Sequence, residues 1–283
     1  MKRQYGFTLV ELIIVMVLIG IIAGVLALQV GPTIQGYLAV ERRATLTSLA
    51  DTALRKVATD VRSAVPNSLR LLSPQCLELV PTIDGGRYRA GPDRDNAADP
   101  GRFLDPFEKN SSFDVLTAFT NPVSAGDAVV IGNQNTEDLY SGANMFGIAA
   151  IANTPGASTG EHRITLDAPQ ELPAGYDGGR FVVVPGGQRS VIYVCDATGK
   201  VANGKGTGTL YRVTSATLNA QPTCPTVTAA MPIVATHVES CGFVYSPNQG
   251  ATQESGFAQL RLKLTNGGES VSLTMGAHVV NVP

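Results

Sequence analysis

The sequence predicts an α+β protein in which one long N-terminal helix packs on an antiparallel β-sheet domain. Three observations predict this fold: an unbroken apolar run over residues 7–28, a helical repeat of apolar residues over 46–64, and short strand-like segments after residue 69. The chain has 283 residues with 30 Gly and 17 Pro, and only 16% of its residues are charged. This composition favours a loop-rich β fold for the part that follows the helix.

The apolar run over residues 7–28 contains only two polar side chains, Thr8 and Glu11. At about 1.5 Å per residue it would form roughly 33 Å of helix, which is enough to cross a bilayer. The short segment before it carries Lys2 and Arg3. Because basic residues stay on the cytoplasmic side, we expect a cytoplasmic N-terminus and export of the rest of the chain.

Glu11 is a costly residue in this run, since a carboxylate near the middle of a membrane helix costs about 2.5–3.5 kcal/mol. One interpretation places Glu11 at the cytoplasmic edge, where it reaches the headgroups and is favoured by the helix N-terminus. A second interpretation supposes that the chain is cut after Gly6, which gives Phe7 a free amine. Glu11 then has a cationic partner, in its own chain or in a neighbouring subunit, that sets the register of packed helices.

Residues 6–11, Gly-Phe-Thr-Leu-Val-Glu, and the apolar residues after them resemble the class III signal of type IV pilins and type II secretion pseudopilins. The resemblance implies cleavage by a prepilin peptidase between Gly6 and Phe7, followed by N-methylation of Phe7. It also implies that Glu11 sets the register of subunits during assembly.

The same resemblance divides the N-terminal part into a cleaved leader, residues 1–6, and a transmembrane and assembly helix, residues 7–30. An ordinary secretory signal is the alternative for this region, and it needs a small-residue cleavage site after its apolar run. Residues 23–27, Ala-Gly-Val-Leu-Ala, supply such a site by composition alone.

Residues 31–65 are predicted to continue the helix as an amphipathic half. Gly31, Pro32 and Gly36 are helix breakers that could kink it or melt a turn. Beyond them apolar residues recur at steps of three and four: Leu46, Leu49, Ala53, Val57, Val61 and Ala64. This stripe predicts a face that packs on the globular domain. A straight helix over residues 7–64 would be about 87 Å long.

Residues 66–283 are predicted to form a β-rich globular domain. Short apolar runs bounded by Gly, Pro, Asn or Asp predict strands at residues 77–80, 128–131, 181–184, 190–194 and 209–213. Residues 260–265 alternate between apolar and polar and turn at 266–269 into 270–274, which predicts a hairpin with one buried face. Residues 88–106, rich in Gly, Pro and Asp, are predicted to be a long loop.

Several segments beyond the helix are similar to the minor pilins of mannose-sensitive haemagglutinin (MSHA) pili, of the larger, J-like type. They are residues 60–68, 76–81, 86–89, 191–196, 208–212 and 277–283. The resemblance implies a pilin-like fold and a minor pilin that acts in pilus assembly, initiation or tip formation. Residues 133–160 depart from the family, which leaves any partner-specific surface undefined.

The resemblance also implies partners and a location. The partners would be the prepilin peptidase, other major and minor pilins, and the bacterial inner membrane. The chain would wait there as a single-pass protein with a periplasmic C-terminal domain, and would then become part of an extracellular pilus. Two alternatives stay open: a pseudopilin of a type II secretion system, and a tip-displayed adhesin whose loops at 85–106 or 133–160 recognise a surface or a glycan.

The chain has four cysteines, all beyond the apolar run: Cys76, Cys195, Cys224 and Cys241. Their even number and their predicted exposure to an oxidising compartment favour two disulfides. Three connectivities are open, and the short loop between Cys195 and Cys224 favours that pair, which leaves Cys76–Cys241. A zinc site is disfavoured because no cysteine pair has C-x-x-C spacing and the three histidines are scattered.

No complete catalytic motif is present in the sequence, so we predict no enzyme activity and no cofactor. Residues 156–160 fit G-x-S-x-G, but a strand-like segment follows where the nucleophile elbow requires a helix. Residues 199–205 spell the start of a P-loop, but Gly206 replaces the Ser or Thr that holds magnesium. The net charge of −2, without a basic patch, argues against nucleic-acid binding.

An acidic run in the predicted loop, Asp93, Asp95, Asp99 and Asp105, offers oxygen ligands of the kind that calcium takes. It lacks the bidentate Glu and the spacing of an EF-hand loop. A solvated loop is therefore the preferred interpretation, and no metal site is predicted.

Overall fold

The computed structural model describes residues 6–96, 98–153, 160–172, 176, 178–221, 223–249 and 255–280. The predicted α+β fold class is confirmed, because the long N-terminal helix packs on antiparallel sheets. The elements follow the chain order α1 (Leu9–Arg62), β1 (Arg70–Ser73), β2 (Cys76–Leu79), β3 (Asp84–Arg87), β4 (Asn110–Val115), β5 (Ala128–Val130), α2 (Thr136–Ser141), β6 (Met145–Asn153), β7 (His162–Gln170), β8 (Arg180–Val184), β9 (Ser190–Asp196), β10 (Gly208–Ser215), β11 (Ile233–Gln249), β12 (Ser255–Asn266) and β13 (Glu269–Val280).

Helix α1 is continuous over Leu9–Arg62, about 81 Å at 1.5 Å per residue. No turn melts at Pro32, which lies inside the helix. Pro32 has no N–H to donate to the carbonyl of Leu28. One residue later, the hydroxyl of Thr33 donates to the carbonyl of Gln29 at 2.9 Å. The predicted membrane and amphipathic parts are therefore one helix.

The first sheet has seven antiparallel strands in the order β1-β2-β9-β10-β11-β12-β13. The predicted hairpin is confirmed and is longer than its sequence pattern, since β12 and β13 pair from Ser255 with Val280 to Asn266 with Glu269. Gly267 and Gly268 form the two-residue turn with φ angles of 58° and 86°. Glycine adopts such positive φ angles without a steric penalty, so this Gly-Gly pair suits a tight hairpin.

The core of the first sheet lies against the C-terminal part of α1. We call residues 42–62 the inner segment of α1 and residues 9–41 the outer segment. The inner segment lies across β11, β12 and β13. Its buried apolar side chains include most of the predicted stripe: Leu46, Ala50, Ala53, Leu54, Val57, Ala58 and Val61. Their removal from water, at roughly 25 cal/mol per Å² of apolar surface, holds the helix on the sheet.

The second sheet has six strands in the order β3-β8-β5-β6-β7-β4. Its two edge strands meet where Tyr88, directly after β3, pairs with Val115 at the end of β4. The sheet therefore curls around its own core, which contains the aromatic residues Phe113, Phe146 and Phe181. The sequence predicted one β-rich region and gave no sign of this separate second core.

Residues 133–160, which the sequence predicted as loops, contain α2 and β6. Strand β6 escaped prediction because glycine and alanine, such as Gly147 and Ala150, have low strand propensity. Residues 154–159 lie outside the described residues. The predicted loop over residues 88–106 connects β3 to β4 and has no strand in its described part.

The four cysteines form two disulfides, Cys76–Cys224 and Cys195–Cys241, with Cα–Cα distances of 6.0 and 6.1 Å. The pairing that the sequence favoured, Cys195–Cys224 with Cys76–Cys241, is wrong. Cys195 and Cys241 both pack in the core under α1. Cys76 pairs in register with Val194, so it points to the opposite face of the sheet from Cys195. The short loop between Cys195 and Cys224 favoured that disulfide in the sequence. In the structure, the face of the sheet to which each cysteine points determines the pairing.

Candidate functional site

The predicted cleavage junction lies immediately before α1. Gly6 and Phe7 are outside the helix, and Phe7 is 84% exposed. No atom lies within 4 Å of the position that a Cβ on Gly6 would occupy. An exposed, non-helical peptide bond is the form that a peptidase can bind. The predicted leader lies outside the described residues, apart from Gly6.

Thr8 and Glu11 form a reciprocal hydrogen-bonded cap at the start of α1. The hydroxyl of Thr8 accepts from the backbone N–H of Glu11 at 3.3 Å, and the Glu11 carboxylate accepts from the backbone N–H of Thr8 at 3.3 Å. This capping box satisfies two N–H groups that a helix start otherwise leaves unpaired. Within the described residues Glu11 forms no ion pair, and its carboxylate serves the helix start.

The outer segment of α1 is uncovered on every side. Each large apolar side chain over residues 7–34 is at least 47% exposed. An 18-residue window of α1 has a mean hydropathy of 3.0 and no buried residue. Among the described residues, α1 is the one helix long and apolar enough to cross a membrane, by length and composition. Because it is apolar on all faces, its partner must be lipid or other apolar helices.

Contact between α1 and the sheet begins at two arginines. Arg42 donates to the carbonyl of Gly267 at 3.4 Å, and Arg43 forms an ion pair with Glu269. Gly267 belongs to the turn between β12 and β13, and Glu269 is the first residue of β13 after that turn. Leu46, at the start of the buried stripe, is 2% exposed. The boundary between the outer and inner segments is therefore a polar contact with this turn.

Asp60 anchors the end of the inner segment to the sheet. Its carboxylate accepts from the Tyr193 hydroxyl and from Arg212 Nε, both at 2.7 Å, and from Lys56 Nζ at 3.0 Å. Burial acts to raise the pKa of the Asp60 carboxyl, but the hydrogen bonds from Arg212, Tyr193 and Lys56 outweigh burial and lower that pKa below its ordinary value. Asp60 is therefore a charged, fully paired group inside the helix–sheet contact.

The anchoring role of Asp60 was missed at the level of the sequence, where it appeared only within a segment of family resemblance. A signal was present, since Asp60 lies between Val57 and Val61 on the apolar stripe of the helix. A carboxylate on a core-facing stripe requires a buried cationic or hydroxyl partner. Two of its partners, Tyr193 on β9 and Arg212 on β10, lie too far along the chain for the pattern to name them.

The acidic run in the β3–β4 connection folds onto its own turns. Carboxylates of Asp93, Asp99 and Asp105 each accept an N–H two residues further along the chain. Among the described residues, no group of three or more His, Cys, Asp or Glu is placed to hold a metal ion.

Of the two enzymatic patterns, only the P-loop-like one lies within the described residues. All of the G-x-S-x-G pattern except Gly160 lies outside the described residues. The P-loop-like residues 199–205 lead into strand β10, so no helix N-terminus is present there to bind a phosphate.

Residues 1–27 match the family described as the prokaryotic N-terminal methylation motif. No curated protein and no solved structure matches the chain. The motif supports a type IV pilin-like protein, a structural subunit that associates with other pilins and with a membrane. It also implies processing by a prepilin peptidase.

Proposed function

We propose that the chain is a minor pilin of an MSHA-type type IV pilus that acts in pilus assembly, as an initiating or tip subunit. It is held in the bacterial inner membrane by α1, with residues 66–283 in the periplasm, and enters an extracellular fibre after processing. The observation that carries the proposal is the complete signal at residues 6–11, followed by an outer segment that the chain leaves uncovered.

The proposed mechanism is assembly through the outer segment of α1. A prepilin peptidase cuts between Gly6 and Phe7, and the new amine of Phe7 is methylated. Apolar outer segments then pack together as they leave the lipid. The carboxylate of Glu11 is neutralised by the amine of Phe7, in its own chain or in a neighbour, and this pair fixes the register between helices. The inner segment and the two sheets remain outside that bundle.

The alternative assignments share the same first step. A type II secretion pseudopilin would be processed identically and would restore secretion, not piliation, to a deletion strain. A tip-displayed adhesin would be incorporated normally but would lose adhesion, at an unchanged pilus number, when residues 85–106 or 133–160 are shortened. These two phenotypes separate the alternatives from an assembly subunit.

Mass spectrometry of the N-terminus tests the proposal directly. The full chain is co-expressed with an active prepilin peptidase, and the mature protein is expected to begin at a methylated Phe7. A Gly6→Asp variant is the matched control, and it should retain Met1 because the small residue before the cut is lost. A wild-type chain that keeps Met1, while a known pilin is processed in the same cells, would overturn the proposal.

A further inference from the structure

A cleft of about 380 Å³ lies between the end of α1 and the outer face of the second sheet. Val65 and Pro66 form one wall, and Arg87, Arg180 and Val182 belong to the strands opposite. Its volume falls within the range of pockets that hold small ligands or side chains of a partner.

Two arginines lie side by side at this cleft. Arg87 of β3 and Arg180 of β8 are directly opposite in the antiparallel register. Side chains at such positions start about 4.5–5.5 Å apart, and like charges there repel. Both residues are exposed, and in the described part of the chain neither guanidinium forms an ion pair. The repulsion is relieved when an anion binds between the two guanidinium groups.

The backbone that carries the arginines is fixed in place. A Cβ on Gly86 would lie 2.2 Å from the hydroxyl of Thr117, so any other residue there would displace that hydroxyl. The same hydroxyl accepts from the backbone N–H of Arg87 at 3.1 Å. On the other side of the cleft, Asn133 donates to the carbonyl of Pro66 at 2.6 Å. The walls are therefore formed before any ligand arrives, which lowers the entropic cost of binding.

The floor of the cleft is aliphatic. Val182 and Pro66 are the partly exposed apolar residues of the lining, and Val65 and Val130 are buried beneath them. The aromatic residue of the lining, Phe181, is only 3% exposed, and its ring packs on Phe113 inside the second core. In the described lining, a sugar ring therefore finds no aromatic face. A planar carboxylate suits the guanidinium groups, and a branched aliphatic side chain suits the apolar surface of Val182 and Pro66.

We propose that this cleft binds an acidic segment of a partner protein, with one carboxylate between Arg87 and Arg180 and an adjacent aliphatic side chain against Val182 and Pro66. The site lies on residues that take no part in the proposed helix assembly. It gives the globular domain a protein-binding role of its own.

The test uses the labelled full chain in detergent on an array of hexapeptides in which one Asp or Glu stands among Val, Leu, Ile and Ser. A matched array carries Asn or Gln at the same position, and a third carries glycans with sialic or uronic acids. We expect binding concentrated on acidic peptides and about tenfold weaker on their amide counterparts. The Arg87→Gln/Arg180→Gln variant should lose this preference, whereas Arg94→Gln/Arg261→Gln, which removes two exposed arginines away from the cleft, should keep it.

Equal binding of acidic and amide peptides by the wild-type chain would overturn the proposal, and so would a preference confined to the glycan array. Circular dichroism melts of both variants show whether a loss of binding reflects unfolding. If the cleft variant is unfolded, the comparison of acidic and amide peptides on the wild-type chain still tests whether the chain prefers a carboxylate. The assay requires no fibre, so its failure leaves the assembly proposal intact, and failure of N-terminal processing leaves this result standing.

Discussion

The outer and inner segments of α1 share one backbone and differ in where their partners lie. The outer segment is predominantly apolar over residues 9–34, where each large apolar side chain is at least 47% exposed. The inner segment buries one apolar face, pairs Asp60 with groups of the sheet, and leaves charged residues such as Arg55 in solvent. The difference shows that one continuous helix can have two kinds of partner. The inner segment packs on the sheet of its own chain, and the outer segment leaves its apolar surface for partners outside the chain. Changes in the outer segment should affect assembly, and changes in the inner segment should affect folding.

The largest expected effect comes from Glu11→Ala in the outer segment. The variant should still be processed after Gly6, but its incorporation into pili should fall by about tenfold to a hundredfold, because the charge-assisted contact with the Phe7 amine is lost. Immunoblots of sheared pili against membrane fractions measure it. Glu41→Ala, an exposed carboxylate of the same helix, is the control and should be incorporated normally. Normal incorporation of Glu11→Ala would remove the proposed role of Glu11.

A stability change is expected from Asp60→Ala in the inner segment. Arg212 and Tyr193 would be left in the helix–sheet contact without their acceptor, and the free energy of unfolding should fall by about 3 kcal/mol. Because the chain has no Trp, urea unfolding in detergent is followed by circular dichroism. Asp51→Ala breaks an exposed pair with Arg55 on the same helix and should change stability little. If both variants lost a similar amount of unfolding free energy, Asp60 would contribute no more to stability than an exposed ion pair does.

The smallest effect is a pH dependence that belongs to the inner segment alone. The pKa of Asp60 is lowered in the folded chain, so the unfolded chain takes up this proton first as the pH falls. The stability from Asp60 is therefore present above about pH 4 and is lost as the pH falls through the folded-state pKa. Between about pH 5 and pH 2.5, the free energy of unfolding should fall more steeply in the wild type than in Asp60→Asn. Parallel curves would contradict the assignment.

Local patterns in the sequence predicted much of the fold. The apolar stripe of α1 and the alternation in β12 and β13 involve neighbours along the chain, so they can be read directly. The second sheet could not be predicted, because pairs such as Gly85 with Val182 join distant segments whose register no local pattern specifies. The prediction of the disulfide pairing was wrong for a related reason. The face of the sheet to which Cys76 points depends on its pairing with Val194, which is distant in the sequence.

The candidate sites divide in the same way. The proposed cleavage and assembly residues, Gly6, Phe7 and Glu11, are contiguous enough to form a motif, and the sequence alone named them. Asp60 and the pair Arg87 and Arg180 depend on partners brought together by the sheets. Only the folded chain shows that the Asp60 carboxylate is paired and that, among the described residues, the two guanidinium groups form no ion pair.

The cap at the start of α1 has a consequence for maturation. Thr8 and Glu11 both lie after the proposed cut, so removal of residues 1–6 deletes no hydrogen bond of the cap. Processing would then alter the charge of the chain and leave the shape of its helix unchanged. The new ammonium on Phe7 would stand at the positive end of the helix dipole, where a cation is disfavoured by about 0.3–1 kcal/mol. The negative carboxylate of Glu11, one helical turn away, would offset the positive charge of this ammonium, so that the start of the helix carries no net charge.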